Sequence, residues 1–332
     1  MKHVVLTDTM SSAAIRPPDT FAELRKVSIE DAREFLLHPA DLREIDCPAC
    51  GAAERVPAFQ KHGFSYQQCR TCGSVYVSPR PTEPALQRYY LESSAARLRV
   101  DYFTQESAAA RFDHVIESRV DWIAQLLDRN GSGGRHFADY GTLYPSLFAE
   151  VARLGRFNKL YCVEPPERVA SLVESGGVTV GWPEAGTVRA ASVFEQLEHQ
   201  AAPHAFLEAI RDLLAPGGVA FVTTRTISGF DLQTLWGKAP YIFAPDHLNL
   251  LSVEGLTTLF ESAGFELIEL STPGQLDVEM VLDASRDDEA IQLPAFVRYL
   301  LDHRNADSLA DFQAFLQRNR LSSHVRVAAR RI

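Results

Sequence analysis

From residue 136 onward, short apolar runs alternate with amphipathic segments along the chain. Short apolar runs bounded by turn residues are typical of buried strands, whereas apolar positions with a period of about 3.6 are typical of helices. Strands are expected at 136–139, 159–164, 178–180, 190–197, 219–224 and 265–270, with a weaker one at 324–329. Helices are expected at 145–155, 166–175, 203–214 and 253–262. This alternation predicts an α/β fold whose mostly parallel sheet is covered by helices on both faces.

The chain before residue 131 follows a different pattern. Residues 1–20 are expected to be a loose lead. Ser28 followed by Asp31 resembles a capping box and predicts the start of a helix that Pro39 ends. Residues 101–130 are amphipathic with a helical period and are expected to form one helix.

A glycine-rich segment, Asn130-Gly-Ser-Gly-Gly134, predicts a loop and the main domain boundary. The expected division is 1–45 as an N-terminal lead and helix, 46–82 as a zinc ribbon, 83–130 as a helical linker or lid, and 131–332 as the α/β domain with a helical insertion at about 283–320.

Two Cys-x-x-Cys-Gly motifs provide Cys47 and Cys50, then Cys69 and Cys72, with residues 51–68 between them. Each motif forms a tight knuckle in which both sulfurs face one ion, and two knuckles complete a tetrahedral zinc site. A redox dithiol would need only one such pair. The residues between the motifs are expected to form a hairpin that brings the knuckles together. Since four sulfurs leave no open position for substrate, the predicted zinc is structural.

Composition narrows the range of functions. The chain has 332 residues, 46% of them hydrophobic and 23% charged, which is ordinary for a soluble globular protein. A net charge of -10 argues against nucleic acid or an anionic membrane surface as partners. No apolar run approaches the roughly 20 residues of a membrane helix, and the first residues do not resemble a signal peptide. A cytoplasmic location is therefore the default expectation, while the oligomeric state stays open.

The first two predicted strands end in acids that suit a nucleoside ligand. Asp139 closes the first strand and is followed by a turn at Gly141 and a helix, and Glu164 closes the second strand. In a Rossmann-type half-fold, the turn backbone and helix N-terminus face the ligand, and the second acid binds the ribose hydroxyls. The turn contains one glycine where such turns usually have three.

Longer passages make the chain resemble a known family, the class I S-adenosylmethionine-dependent methyltransferases with an N-terminal zinc ribbon. The passages are CPACG…CRTCGSVYVSPRPTEPALQRYY, FEQLEH followed by PHAFLEAIRDLLAPGGVAFVTT, and APDHLNLLSVEGLTTLFESAGFELIEL. The resemblance implies a seven-stranded Rossmann-like sheet whose last strand is antiparallel. It also implies S-adenosylmethionine as cofactor and a small-molecule acceptor, such as a sugar or another biosynthetic intermediate.

The same resemblance suggests residue roles on the cofactor side. Asp139 would accept a hydrogen bond from the amino group of the cofactor, Glu164 would bind the ribose, and Gly141 and Glu198 would complete the cofactor site. Trp182, just after the third strand, would flank the adenine or would be an ordinary surface aromatic residue.

The chain departs from the family pattern in the cofactor turn. Leu143 and Pro145 stand where the second and third glycines are usual, and a leucine side chain there would obstruct the ligand. Proline in the first turn of a helix is less disturbing. The alternative interpretation is therefore a catalytically inactive pseudo-methyltransferase that acts as a binding or scaffold subunit. A dinucleotide-dependent oxidoreductase is disfavoured, because pyrophosphate needs the missing glycines even more.

Methyl transfer to a hydroxyl, amine or acidic carbon requires alignment of the reactants and removal of a proton. His199 follows the fourth strand, and His247 lies in the segment Pro245-Asp246-His247-Leu248-Asn249. Both are candidate bases, because the ordinary pKa of histidine suits proton transfer near neutral pH. Either could instead have only a structural role, ordering a loop or bridging loop and helix. The sequence does not rank them.

Overall fold

The structure is a computed structural model that describes residues 11, 15, 17–106, 108–130 and 134–332. Its strands are β1 Leu42–Arg43, β2 Arg55–Lys61, β3 Phe64–Cys69, β4 Val75–Val77, β5 Arg80–Pro81, β6 His136–Tyr140, β7 Lys159–Val163, β8 Thr179–Val180, β9 Val188–Phe194, β10 Leu214–Arg225, β11 Asn249–Leu250, β12 Phe265–Ser271 and β13 His324–Arg331. Its α-helices are α1 Pro18–Leu36, α2 Glu83–Glu92, α3 Ser94–Asp101, α4 Ala108–Arg111, α5 Glu117–Asn130, α6 Ser146–Arg153, α7 Glu167–Ser175, α8 Pro203–Leu213, α9 Phe230–Leu235, α10 Val253–Ser262, α11 Asp277–Asp287, α12 Ala295–His303 and α13 Ala306–Arg318.

A seven-stranded sheet in the order β8-β7-β6-β9-β10-β13-β12 forms the centre of the C-terminal part. β6 pairs in parallel with both β7 and β9, and β10 continues the parallel arrangement beside β9. β13 is antiparallel to both of its neighbours, β10 and β12. The order in which the chain adds strands reverses at β6: β7 and β8 lie on one side of it, and β9 and β10 lie on the other. Ligands bind at this point of reversal in such sheets. This topology confirms the predicted Rossmann-like methyltransferase fold with its antiparallel last strand.

Burial explains the predicted strands well. In β9 and β10 nearly every side chain is buried, because helices cover both faces of these central strands. The predicted fourth strand was expected to continue to residue 197, but β9 ends at Phe194. Residues Leu197–His199 form a short 3-10 turn instead. That turn places Glu198 and His199 beyond the carboxyl edge of the sheet.

Helix starts were predicted less well in the N-terminal part. The first helix begins at Pro18, not at Ser28, so the predicted capping box is wrong. Proline suits the first turn of a helix, and Ser28 is buried inside it. The carboxylate of Asp31 accepts a hydrogen bond from the backbone N–H of Ala95 at 2.7 Å instead. The helix start predicted at Ser28 is wrong because the Asp31 carboxylate binds the distant Ala95.

The segment expected to be one helix over 101–130 is interrupted. Residues Tyr102–Glu106 and Phe112–Ile116 are π-helical, and a regular α-helix follows over Glu117–Asn130. The predicted boundary at 131 falls on residues 131–133, which lie outside the described ones, so the proposed domain division stays a prediction.

The cysteine-containing segment belongs to a second sheet, in the order β11-β4-β3-β2. β2 and β3 form the predicted hairpin between the two cysteine pairs. β11, which comes from the segment after His247, pairs with β4. The two parts of the chain therefore share a sheet.

Arg80 reinforces this junction. Its buried guanidinium donates to Asn249 Oδ1 at 2.9 Å and to the carbonyl oxygen of Ala201 at 2.8 Å. Asn249 in turn donates from Nδ2 to the carbonyl oxygen of Gln200 at 2.8 Å. The ribbon, the 3-10 turn after β9 and the segment containing His247 are thus tied together. Among the described residues, no helix is long and apolar enough to cross a membrane.

Candidate cofactor and acceptor site

The four cysteines of the two Cys-x-x-Cys motifs converge on one point. Their Sγ atoms all lie within 4.8 Å of one another. The Sγ atoms of Cys47 and Cys72, and those of Cys50 and Cys69, are each 3.6 Å apart. Zinc–sulfur bonds of about 2.3 Å put the sulfurs of a tetrahedral site about 3.8 Å apart, so the cluster fits zinc and is far too open for disulfides.

The cysteine cluster is packed directly against the start of α10. Ser252 Oγ caps α10 by accepting from the N–H of Gly255 at 2.9 Å, and Ser74 Oγ accepts from the N–H of Ser252 at 3.0 Å. A side chain at Gly255 would lie 2.2 Å from Ser74 Oγ, so only glycine permits this close approach. The ribbon is therefore fixed to the start of α10 beside the sequence that follows His247.

Asp139, at the carboxyl end of β6, is buried and only partly partnered. Ser192 on β9 donates a hydrogen bond to its Oδ1, while Oδ2 has no hydrogen-bond partner in the part of the chain that the structure describes. Burial raises the pKa of this carboxyl to about 7. An orphaned carboxylate oxygen at the switch point of the sheet is suited to accept a hydrogen bond from a cationic ligand group.

Glu164 directly follows β7 and is exposed at the same edge of the sheet. Its φ of 50° is unusual for a residue other than glycine. Tyr140, at the end of β6, donates from Oη to Glu164 Oε2 at 2.6 Å. The Tyr140 ring also packs at right angles on Phe206, 4.8 Å between centroids, and near Trp182 at 6.1 Å. An accessible carboxylate beside an exposed indole and a phenol is suited to bind a ribose and its base.

Side chains fill the space around the turn that follows β6. Gly141 has a φ of 64°, and its carbonyl oxygen accepts from Gln196 Nε2 at 3.0 Å. A Cβ on Gly141 would lie 2.8 Å from the Gln196 side chain, so this amide covers the turn closely. Leu143 and Tyr144 are both buried where the family pattern has its second glycine and the residue after it. Obstruction by Leu143 stays a prediction, and the contact of Gln196 with Gly141 was not foreseen from the sequence.

A cavity of about 220 Å³ lies over the carboxyl ends of β9 and β10. Leu143, Tyr144 and Gln196 form the wall it shares with the cofactor turn. Both candidate histidines line this cavity. Asp139, Gly141 and Glu164 do not, so the predicted site residues divide into two adjoining groups.

Glu198, predicted as a cofactor ligand, lines the cavity with the histidines. Thr224 donates from Oγ1 to Glu198 Oε2 at 2.7 Å. Burial and the neighbouring Glu195 raise the pKa of Glu198 to about 7. The structure thus places Glu198 in the cavity with the histidines, and its assignment as a cofactor ligand stays a prediction.

Both ring nitrogens of His199 are engaged. Arg99 donates to Nε2 at 3.2 Å, and since a guanidinium can only donate, this nitrogen must be the unprotonated one. Nδ1 therefore carries the proton and donates to Tyr90 Oη at 3.2 Å. Burial and Arg99 lower the pKa of His199 to about 4. His199 is held neutral with no free nitrogen.

His247 differs in the availability of its second nitrogen. Its Nδ1 lies 3.3 Å from the carbonyl oxygen of Phe243, which can only accept, so Nδ1 carries the proton. For Nε2 there is no hydrogen-bond partner among the described residues. Burial lowers the pKa of His247 well below its ordinary value. Asp246 pairs with Arg99 and Asn249 with the 3-10 turn, so the ring orientation of His247 comes from Phe243 and not from these two polar neighbours in sequence.

A buried ion pair supports the end of β9. Arg119 Nη1 donates to Glu195 Oε2 at 2.9 Å and its second nitrogen contacts Oε1, while Thr223 donates to Oε1 at 2.9 Å. Glu195 has a φ of 51°. Arg119 lies on the amphipathic helix α5, where sequence reasoning had counted only apolar positions. Nothing in the sequence indicated that Arg119 is buried, since an arginine on a helix is usually exposed.

Six strands of the central sheet and the two strand-ending acids fall within, or reach the end of, one matched segment. Residues 109–270 match a family model described as a methyltransferase domain. This part of the chain is a methyltransferase domain. Asp139, Glu164 and both candidate histidines lie within this segment, whereas the four cysteines precede it and β13, which contributes Arg326 to the cavity, follows it.

Three solved structures are similar to this chain. They are an S-adenosylmethionine-dependent methyltransferase from Mesorhizobium loti (14% identity, 65% of this chain and 100% of that one, TM-score 0.41), geranyl diphosphate methyltransferase in complex with S-adenosylmethionine (16% identity, 69% and 91%, TM-score 0.42), and an S-adenosylmethionine-dependent methyltransferase from Archaeoglobus fulgidus (14% identity, 64% and 94%, TM-score 0.39). No curated protein sequence matches the chain.

Proposed function

We propose that the protein transfers a methyl group from S-adenosylmethionine to a small-molecule acceptor. The observation that carries this proposal is the adjacency of two sites within the methyltransferase domain. Asp139 and Glu164 end β6 and β7, and the cavity with His247 adjoins them across Gln196. Such an arrangement suits a reaction in which the acceptor must meet a group held at the switch point of the sheet.

On the cofactor side, three residues have suitable chemistry. Asp139 would hold the amino group through its unpartnered Oδ2, Glu164 would bind the ribose hydroxyls, and Trp182 would pack against the adenine. When bound, S-adenosylmethionine supplies a methyl group on a positively charged sulfur. The protein need only hold both reactants in line and manage one proton.

On the acceptor side, His247 is the candidate base. Its protonated Nδ1 is oriented by the carbonyl oxygen of Phe243, which leaves the lone pair of Nε2 for the acceptor proton. His199 would act differently, as a neutral group that positions Arg99 and Tyr90. This assignment ranks two residues between which the sequence could not choose.

A structural zinc would be held by Cys47, Cys50, Cys69 and Cys72. The cluster lies against α10 through Ser74 and Ser252. Its role would be to hold β4, and through β4 the strand β11 that follows His247.

Calorimetric titration with S-adenosylmethionine and S-adenosylhomocysteine tests the proposal. We expect micromolar binding to the unmodified protein and at least a tenfold loss in Glu164→Ala. Glu174→Ala is the matched control, because Glu174 is exposed on the following helix, α7. A loss of equal size in both variants would show that the effect is not specific to Glu164.

One observation favours the scaffold alternative. Leu143 and Tyr144 are buried in the region that glycines leave open in the family pattern, and Gln196 covers the turn. If neither ligand binds to the unmodified protein at millimolar concentration, the methyl-transfer proposal is wrong. A non-catalytic subunit would then be the better interpretation.

A further inference from the structure

One face of the antiparallel pair β10–β13 brings basic side chains to the cavity. Thr223 is paired with Arg326, and Arg225 with His324, so these four side chains lie on the same face of the sheet. Arg225, His324 and Arg326 all line the cavity, as does Arg119 from α5. The floor of the cavity is thus rich in cationic groups.

Most of these cations have a carboxylate partner within the protein. Arg119 is paired with Glu195, and Arg225 Nη1 lies 3.5 Å from Asp231 Oδ2. At the other side of the cavity, Arg99 is paired with Asp246. These pairs stabilise the cavity walls without any ligand.

Arg326 is the exception. It is 6% exposed, and no carboxylate oxygen of the described residues lies within 4.0 Å of its guanidinium. Nη2 donates to Ser118 Oγ at 2.9 Å, whereas no described residue accepts a hydrogen bond from Nε. The guanidinium lies over the ring of Trp122, 5.4 Å from its centroid. A buried cation with an unsatisfied N–H is costly unless an anion completes its environment.

The electrostatics of Arg326 agree with this geometry. Burial, together with the neighbouring Arg119, lowers the pKa of Arg326 to about 10. The side chain therefore stays charged at neutral pH while the protein disfavours that charge. A ligand anion would relieve both effects.

We propose that Arg326 binds an anionic group, a carboxylate or phosphate, of the small-molecule acceptor. This inference rests on the proposed function in treating the cavity as the acceptor site. The anion oxygens accept from the guanidinium of Arg326, which lines the cavity. At about 220 Å³ the cavity is below the roughly 300–1,000 Å³ of typical small-molecule sites, so the acceptor portion that enters it is small.

The two later arginines of β13 do not contribute. Arg330 is paired with Glu266 at 2.6 Å, and Arg331 donates to carbonyl oxygens including that of Arg211 at 3.3 Å. Both are therefore explained by contacts at the sheet edge. Anion binding is assigned to Arg326 alone among these three.

Titration calorimetry with benzoate, phenyl phosphate and the neutral benzamide tests the inference. These probes combine an anionic or neutral polar group with a ring that suits aromatic cavity residues such as Phe194 and Phe243. We expect at least one of the two anions to bind at least tenfold more tightly than benzamide, and the better one identifies the class of anion. Arg326→Gln should abolish this preference, whereas Arg330→Gln, on the same strand, should keep it.

Equal binding of the three probes, no binding of either anion, or an undiminished preference in Arg326→Gln would overturn the inference. If Arg326→Gln does not fold, Arg326→Met replaces it, because an unbranched apolar side chain can still pack over Trp122. Failure of the two proposals is distinguishable. If the unmodified protein prefers the anions but does not bind S-adenosylmethionine, only the methyl-transfer proposal is refuted. If it binds S-adenosylmethionine but does not prefer the anions, only the anion site is refuted.

Discussion

The guanidinium of Arg99 donates to Nε2 of His199 at 3.2 Å, and this contact decides the tautomer of that imidazole. Arg99 is also paired with Asp246, the residue immediately before His247. One arginine thus links the two candidate bases and gives them different roles. His199 is committed to a structural contact, and His247 keeps a free nitrogen.

The first prediction concerns this pair of histidines. Once an acceptor is found by screening for S-adenosylhomocysteine release, His247→Gln should lower kcat about 10²–10⁴-fold, the usual contribution of a general base. His199→Gln should lower stability more than kcat, because it disrupts the contacts with Arg99 and Tyr90. The measurements are steady-state kinetics and urea unfolding of both variants. A larger loss of kcat in His199→Gln would reverse the assignment.

The second prediction is a pH dependence of cofactor affinity. The pKa of Asp139 is raised to about 7, so its carboxylate is ionised above that pH and protonated below it. Affinity for S-adenosylmethionine, whose amino group is cationic, should therefore fall as the pH is lowered from 8 to 6. Calorimetric titrations at both values check this. Asp139→Asn should bind weakly and without this pH dependence.

The third prediction concerns how the stability of the ligand-free protein depends on pH. It follows from the difference between the folded-state and unfolded-state pKa of Asp139. The folded-state pKa of Asp139 lies above the unfolded value of about 3.9, so between pH 4 and 7 the folded state binds the extra proton. Stability contributed by protonated Asp139 is present below about pH 4 and is lost as the pH rises through 7. Relative to wild type, Asp139→Asn should therefore gain stability, on the order of a few kcal/mol, between pH 4 and 8. Urea unfolding across this range measures it, and a constant difference would contradict the assignment.

The fourth prediction tests the obstructed turn. Leu143→Gly removes a buried side chain where the family pattern has a glycine, which should increase affinity for S-adenosylmethionine. It should also cost about 2–5 kcal/mol of stability, as expected for removing a buried leucine side chain. Leu147→Ala, on the following helix and also buried, is a control for lost packing alone. Unchanged affinity in Leu143→Gly would mean that the cofactor does not pass this residue.

The fifth prediction concerns the metal. Metal analysis should find one zinc per chain, and Cys69→Ser should lose it, while Cys162→Ala should keep it because Cys162 lies apart from the cluster. Zinc removal should lower the melting temperature. Since β4 pairs with β11 next to His247, it should also weaken anion binding in the cavity. Freshly purified protein without zinc would show that the prediction is wrong.

Much of this architecture was predictable from local pattern. The strands ending at Asp139 and Glu164, and the two cysteine pairs, are encoded by residues close together in sequence. Burial of a parallel sheet on both faces produces continuous apolar runs, and tetrahedral zinc requires a fixed ligand spacing. These constraints leave a signal that one sequence is enough to show.

Contacts between distant segments were decided only by the tertiary structure. The sequence could not choose between His199 and His247, because the choice depends on Arg99, 100 residues away from His199. It could not show that Gln196 covers Gly141, nor that Arg326 is buried without a carboxylate partner. The sequence by itself predicted the sheet, and it singled out the four cysteines and the two strand-ending acids as candidate ligands. The tertiary structure decided which polar groups are satisfied, because hydrogen-bond and ion-pair partners are set by how the elements pack.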